Sequence, residues 1–315
     1  MDVDPRNRLN GLSNSEWLRL TSSVWWNVNQ RSAASKVPLL ALETIGEFPT
    51  VMNSSPPPLD DLKRQHPATF AECDIRKLIS FFSKREDVVL DPFLGAGSTM
   101  LTCLETERNC IGVELFGKWV SLSRKRLENA YPNFMPIYKV TADRDILLMT
   151  GNGLRYRILC GDSRERLKEL RSHSVDLILT SPPYWNILDK TGDYKALRMR
   201  RNFNLPTNYG SSKKNLGNIG DYSEFLRQLK IVFRQCARVL RSRKYLCVIV
   251  SDFRHRNRFY PFHAHLTNAI ERCGLALEGI TVIVNNRKHL YPYGLPYSYV
   301  SNIHHSYVLI FRKMK

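Results

Sequence analysis

The chain has 315 residues, 43% of them hydrophobic and 24% charged, which excludes disorder, collagen and coiled coil as the main architecture. Lys and Arg number 47 against 29 Asp and Glu, and this net charge of +18 points to polyanionic partners, nucleic acid first and a membrane surface second. No apolar run approaches the roughly 20 residues of a bilayer span, the polar start has no signal-peptide core, and the seven cysteines include no Cys-x-x-Cys pair, so the chain reads as intracellular, without a membrane partner.

Residues 1–62 read as an N-terminal extension ending in a Pro-rich linker, with Pro56-Pro57-Pro58 as a semi-rigid extended run. Residues 63–315 form the main domain. A helical pattern starts at Ala71 and runs through Ile75, Leu78, Ile79 and Phe82; an apolar strand over 87–91 then ends in a Gly-rich turn. The alternation continues with a helix over 100–107, a strand over 110–114 and a helix over 118–130. Residues 131–155 are ambiguous, with a hairpin insertion as one reading. Strands follow over 156–160 and 175–180. Residues 221–241 give the clearest helix, with Phe225, Leu229, Val232, Phe233, Cys236 and Val239 on one stripe. A fifth strand over 245–250, a helix over 261–273 stopped by Gly274, and strands over 277–285 and 306–312 complete the chain. This alternation implies an α/β class with a doubly wound, mostly parallel sheet of seven strands and an antiparallel closing strand.

The first chemical signal is Asp91-Pro92-Phe93-Leu94-Gly95-Ala96-Gly97-Ser98-Thr99, at the carboxyl end of the first strand, where open α/β sheets bind ligands. Gly95 and Gly97 remove Cβ atoms where backbone must approach a ligand, although a glycine pair alone also reads as a plain tight turn. Glu114 ends the next strand, 23 residues after Asp91, a spacing that suits a carboxylate on ribose hydroxyls. The run is neither Gly-x-Gly-x-x-Gly nor a P-loop. An acid at the head of the loop suits a ligand with an ammonium group, and S-adenosylmethionine has the matching amino-acid end, ribose and adenine.

The second signal is Ser181-Pro182-Pro183-Tyr184, which closes the 175–180 strand. Pro-Pro after a strand is an ordinary stop. It also holds two acceptors rigid, the Ser181 hydroxyl and the Pro182 carbonyl. Both N–H protons of a nucleobase amino group can be accepted there, which frees the nitrogen lone pair, while Tyr184 offers a ring for stacking.

With these motifs in place, the chain resembles the amino-directed DNA methyltransferases, S-adenosylmethionine-dependent enzymes that methylate cytosine N4 or adenine N6. The resemblance covers most of 65–312 and rests on His66-Pro67-Ala68-Thr69-Phe70, Asp91-Pro92-Phe93-x-Gly95-x-Gly97, Gly112-Val113-Glu114, Gly161-Asp162 and Ser181-Pro182-Pro183-Tyr184. It implies a Rossmann-like methyltransferase sheet. It implies that Asp91 holds the methionine amino group, that Phe93, Gly95, Gly97 and Ser98 line the cofactor, and that Glu114 holds the ribose. Leu115 is implied against the adenine, Asp162 at its amino group, and Phe70 as a closing ring. Ser181 in first position favours cytosine N4, with adenine N6 as the alternative. Ser98 stands where the family usually has Thr, and the cofactor motif precedes the catalytic one.

Double-stranded DNA is the implied partner, with a cognate restriction endonuclease as a candidate second partner. Residues 185–220 carry Lys190, Lys195, Arg198, Arg200, Arg201, Lys213 and Lys214 against two acids, directly after the catalytic motif, and are the first candidate DNA contact. Residues 286–305, rich in tyrosine, are the second. The bland reading of both is a solvated loop. His263 and His265 have no Cys or acid at ligand spacing and read as structural, so no metal is expected. An RNA base methyltransferase, a protein-glutamine methyltransferase and a non-catalytic nucleic-acid-binding relative are the remaining rivals.

Overall fold

Strands such as Val175–Thr180 carry apolar residues on both sides of the pleat and are buried along their whole length, so the sheet needs cover above and below. A computed structural model describes residues 7, 9–13, 72–130, 145–151, 153–186, 212–256, 258–284 and 299–314, and the backbone of 24–26 and 52–53. In chain order the strands are β1 (Val24–Trp26), β2 (Met52–Asn53), β3 (Val88–Asp91), β4 (Asn109–Glu114), β5 (Ile146–Met149), β6 (Arg155–Cys160), β7 (Val175–Thr180), β8 (Leu240–Val250), β9 (Phe253–His255), β10 (Arg258–Tyr260), β11 (Leu275–Val284) and β12 (His305–Lys313). The helices are α1 (Glu72–Phe82), α2 (Ser98–Glu105), α3 (Gly117–Ala130), α4 (Ser163–Arg166), α5 (Tyr222–Val239) and α6 (Phe262–Glu271).

The main sheet has the order β2-β1-β11-β12-β8-β7-β3-β4-β6-β5. Its centre, β8-β7-β3-β4-β6, is parallel throughout, and β12 runs antiparallel to β8. The chain winds outward from β3 through β4 to β6 and then returns to β7 on the other side of β3. That reversal opens a crevice at the carboxyl ends of β3 and β7. The doubly wound, mostly parallel sheet is therefore present, with ten strands among the described residues instead of seven. The additional strands are the short β1 and β2 on one edge and β5 on the other, where β5 and β6 form the hairpin that 131–155 left open.

Alternate residues of each strand enter opposite cores, as a period of two requires. Leu90, Ile178, Val248 and Val250 face α5 and α6, packing with Phe225, Phe233, Phe262 and Leu266. Val89, Leu177, Leu179 and Cys247 face the other way, onto Ile79 and Phe82 of α1 and Met100 of α2. Helix α5 begins where the Asp221 side chain accepts from the Glu224 N–H at 2.7 Å. It ends at Val239, earlier than its stripe predicts, because Leu240 already pairs with β7 as the first residue of β8.

The segment expected to be an extension, 1–62, enters this architecture. Its strands β1 and β2 extend the sheet beyond β11, and Asn10 is buried, donating to the Phe81 carbonyl oxygen at 2.5 Å. Position 62 is thus no boundary of the sheet. The face opposite the ligand edge has its own anchor. Buried Asp176 accepts from the Val88 N–H at 3.0 Å and from Arg241 at 2.6 Å, with Lys244 at 3.4 Å, tying β3, β7 and β8 together. Asp176→Ala withdraws the acceptor from the Val88 N–H and leaves Arg241 without its counter-charge, while Lys244 keeps Asp87 at 3.1 Å. It is expected to lower stability by about 2–3 kcal/mol in urea unfolding. A loss under 0.5 kcal/mol would show the anchor to be idle.

Candidate active site

At the carboxyl edge of the sheet, β3, β4 and β7 deliver Asp91, Glu114 and Ser181 to one cavity of about 930 Å³ including its open mouth. Asp91 sits at its base, 3% exposed. One carboxylate oxygen accepts from the Thr180 hydroxyl at 2.6 Å and the Phe93 N–H at 3.0 Å; the other accepts from the Thr99 hydroxyl at 2.7 Å. Burial raises its pKa, and these three bonds work against the rise. The loop then turns through Gly95 at φ 55°, whose N–H donates to Glu114 at 2.9 Å. The second oxygen of Glu114 accepts from the Phe116 N–H at 2.9 Å. Burial pushes the Glu114 carboxyl up to about 7 against these backbone bonds.

On the other wall, Ser181, Pro182, Pro183 and Tyr184 all face the cavity. The Tyr184 hydroxyl accepts from the Ser251 N–H at 2.9 Å, and its ring packs edge-on against Phe253 at 6.2 Å. Burial raises the phenol, so it stays neutral. Behind it, Asp252 bonds the Nδ1 of His263 at 2.7 Å, and that imidazole stacks on Tyr307 at 4.1 Å. His265 meets the Tyr222 hydroxyl at 2.9 Å. Among the described residues no cluster of three His, Cys, Asp or Glu is placed to hold a metal.

A family model described as DNA methylase matches residues 4–125 and 175–315. The chain belongs to the DNA methylase family. This methylase is 39% identical over 71 residues to the type II methyltransferase M.HinfI of Haemophilus influenzae, a match covering 22% of this chain and 20% of that protein. It is 33% identical over 95 residues to M.ScaI of Streptomyces caespitosus, covering 28% and 31%. The matched stretches thus span between a fifth and a third of these relatives. A DNA modification methylase of Thermus thermophilus, solved with S-adenosyl-L-methionine, is 25% identical over 49% of this chain and 54% of its own, with a TM-score of 0.35.

Most of the residues singled out from the methylase sequence meet in the one cavity: Asp91, Phe93, Gly95, Ser98, Glu114, Leu115, Asp162 and the whole of Ser181–Tyr184. Three have settings of their own. Gly97 is absent from the wall; its φ is 78°, and a Cβ there would lie 2.9 Å from the Ser123 Cβ, so it serves the packing of α2 on α3. Asp162 lines the cavity, but its carboxylate caps α4 and grips the Arg164 guanidinium, with Nε at 3.0 Å. Lys214, expected among the DNA contacts, stands exposed at the cavity wall beside Asn215 and Leu216, and Lys213 is exposed next to it. Phe70, Lys190, Lys195, Arg198, Arg200 and Arg201 lie outside the described residues, as do 286–298. Thr99, in the first turn of α2, and Thr180, at the end of β7, escaped sequence reasoning, since nothing local distinguishes them from other threonines in such places. Trp119 and Phe116 also escaped, although their place after Glu114 puts them at the same sheet edge.

Glu114 gives the ligand-free methylase a pH signature. Its carboxyl holds a proton to about 7 when folded and to 4.5 when unfolded, so between those values the folded state binds more protons. Stability from this group is full below pH 4.5 and is lost as pH rises toward 7. Glu114→Gln is therefore expected to gain on the wild type across that window, by about 3 kcal/mol at most. Urea midpoints at pH 5 and pH 8 measure it, and a stability difference that does not move with pH would refute the assignment.

Proposed function

We propose that this methylase transfers a methyl group from S-adenosylmethionine to the exocyclic amino group of a base turned out of duplex DNA, with cytosine N4 as the target that Ser181 favours. The observation that carries this reading is the meeting of two acceptor sets across the crevice. Asp91, at the end of β3, is hydrogen-bonded to Thr180, the residue immediately before Ser181. A cofactor held on one side and a base held on the other are thereby brought to a single point.

The cavity fits the cofactor by charge. Asp91 and Glu114 are both desolvated, and neither has an ion-pair partner among the described residues. A ligand carrying an ammonium group, a sulfonium and ribose hydroxyls supplies the missing counter-charge and donors. Asp91 would hold the ammonium and Glu114 the hydroxyls, with Phe93, Gly95, Ser98 and Leu115 around the adenosine. Asp162 is committed to Arg164, and its share in adenine recognition falls to the edge left open. When bound, the cofactor supplies a methyl group on a positively charged sulfur.

The protein's own contribution is polarisation and placement. The Ser181 hydroxyl oxygen and the Pro182 carbonyl accept hydrogen bonds from the two amino N–H groups, and the proline pair prevents their drift. The Tyr184 ring, braced by Ser251 and Phe253, forms a wall for the base. Drawing the base from the stack costs roughly a few kcal/mol, which phosphate contacts must offset. Residues 185–220 and 286–305 are proposed to make those contacts. A cognate restriction endonuclease is the proposed cellular partner, in keeping with the type II names of the relatives.

Incubation with labelled cofactor and mixed DNA, then mass spectrometry of the nucleosides, tests the reading directly. N4-methylcytosine is the expected product; N6-methyladenine would move the target base, and no methylated nucleoside would overturn the reading. Ser181→Ala should reduce the transfer rate by about 100-fold or more, by analogy with loss of one polarising group. Its cofactor affinity by calorimetry should stay within about twofold. Equal loss of both would remove Ser181 from its role.

A further inference from the structure

Directly after β8 the chain leaves the main sheet and forms a separate antiparallel ribbon, β9 with β10. The ribbon lies against the catalytic strand end: the Phe253 ring is 6.2 Å from Tyr184, and His255 and Tyr260 are 4.7 and 5.2 Å from Trp185, the next residue. Its sequence from 253 to 258 is Phe-Arg-His-Arg-Asn-Arg, three arginines and a histidine without an acid. Several other arginines are neutralised, Arg164 by Asp162, Arg227 by Glu224 and Arg241 by Asp176. Arg254, Arg256 and Arg258 form no ion pair among the described residues. Two of them are held by rings instead: Arg254 lies 5.3 Å from the Phe259 centroid and Arg258 5.3 Å from that of Tyr260. Ring contacts orient a guanidinium and leave its charge available.

A second cavity opens under this ribbon, about 720 Å³ with its mouth included. Arg256, Arg258, His255 and Tyr260 form one side, and Trp185 and Asn186 the other. Asn186 has a left-handed backbone, φ 39°, and its side-chain carbonyl oxygen is buried with no hydrogen-bond donor. A buried acceptor without a donor is costly, and a ligand N–H would recover that cost. The cavity thus offers cations for phosphate, rings for a flat face and an acceptor for an amino or imino group. A nucleotide answers all three.

We propose that this cavity binds the nucleotide next to the turned-out base, with Arg256 and Arg258 on its phosphates and Asn186 on its base edge. The proposal rests on the DNA methyltransferase reading and adds a second subsite to it. Tyr184 lines the first cavity and Trp185, the next residue in the chain, lines the second, which is the link between the two subsites. A free mononucleotide shares the same chemistry and is the alternative source.

The test uses the full chain with Arg256→Gln and Arg258→Gln combined, and separately Asn186→Gly, which keeps the left-handed backbone accessible. Oligonucleotide binding is followed by anisotropy from 50 to 200 mM salt, and cofactor binding by calorimetry. The arginine variant should bind duplex DNA at least tenfold more weakly, with a salt slope about two units shallower, and cofactor affinity should be unchanged. Asn186→Gly should weaken binding severalfold with the slope intact. Wild-type slope and affinity in the arginine variant would overturn the proposal, and full competition by a nucleoside monophosphate would assign the cavity to free nucleotide instead. If the variant methylates DNA with wild-type KM, the subsite falls and the methyltransferase reading stands. If the arginine variant loses its DNA binding as described while the wild type forms no methylated nucleoside, the subsite stands and that reading falls.

Discussion

The hydrogen bond between the Thr180 hydroxyl and Asp91, 2.6 Å long and fully buried, is the contact on which the rest of the site depends. It crosses the crevice where the winding of the sheet reverses and joins residues 89 positions apart. Parallel strands exchange no tight turn, so their carboxyl ends would otherwise be registered only by the ladder. Between β3 and β7 that ladder pairs Val89 with Leu177 and Leu90 with Ile178, leaving the last turn of each strand to side chains. Thr180 closes that gap one residue before Ser181. Thr99 closes the other side, pinning the first turn of α2 to the same carboxylate at 2.7 Å.

Burying that acid is costly, and the fold accepts the cost twice. Asp91 and Glu114 are both desolvated, and backbone N–H groups are aimed at each. Hydrogen bonds to the charged form offset part of the penalty but do not replace a counter-ion. The cavity therefore stores an unmet demand for positive charge in a protein whose net charge is +18. Asp91 and Glu114 line the crevice, and Lys214 is the one Lys or Arg among its described lining residues. Under the proposed function, the acids suit a cationic small molecule and the basic residues a polyanion.

The parts legible in the sequence were those built from contiguous residues. Asp91, the glycine turn and Glu114 lie within one strand–helix–strand unit, so their spacing carried their meaning. Ser181-Pro182-Pro183-Tyr184 stood out because two prolines end a fully apolar strand. Gly97 shows the limit: close approach to a ligand and close packing of α2 on α3 both call for a missing Cβ, and only Ser123 at 2.9 Å separates them. Thr180 was illegible because its partner is brought beside it by sheet order alone. Strands β9 and β10, of three residues each, are too short for a period of two to register. The contribution of residues 24–26 to the sheet edge was hidden for the same reason.

Trp185 links these levels. Its indole N–H donates to the Ile219 carbonyl at 2.7 Å, and its ring meets Tyr222 at the start of α5 and Tyr260 of the ribbon, at 5.1 and 5.2 Å. One buried side chain thus fixes the exit of the catalytic strand to a helix start and to a cationic ribbon. Aromatic contacts of this kind are worth about 0.5–1.5 kcal/mol each beyond area burial, and several converge here. The consequence is mechanical. The ribbon that carries Arg256 and Arg258 thus packs on the same framework as Tyr184, whose hydroxyl is held by the Ser251 N–H at 2.9 Å. Under the proposed function, a phosphate held on the ribbon and a base held at Tyr184 would share that framework, so that binding energy gained outside the crevice would serve the geometry inside it.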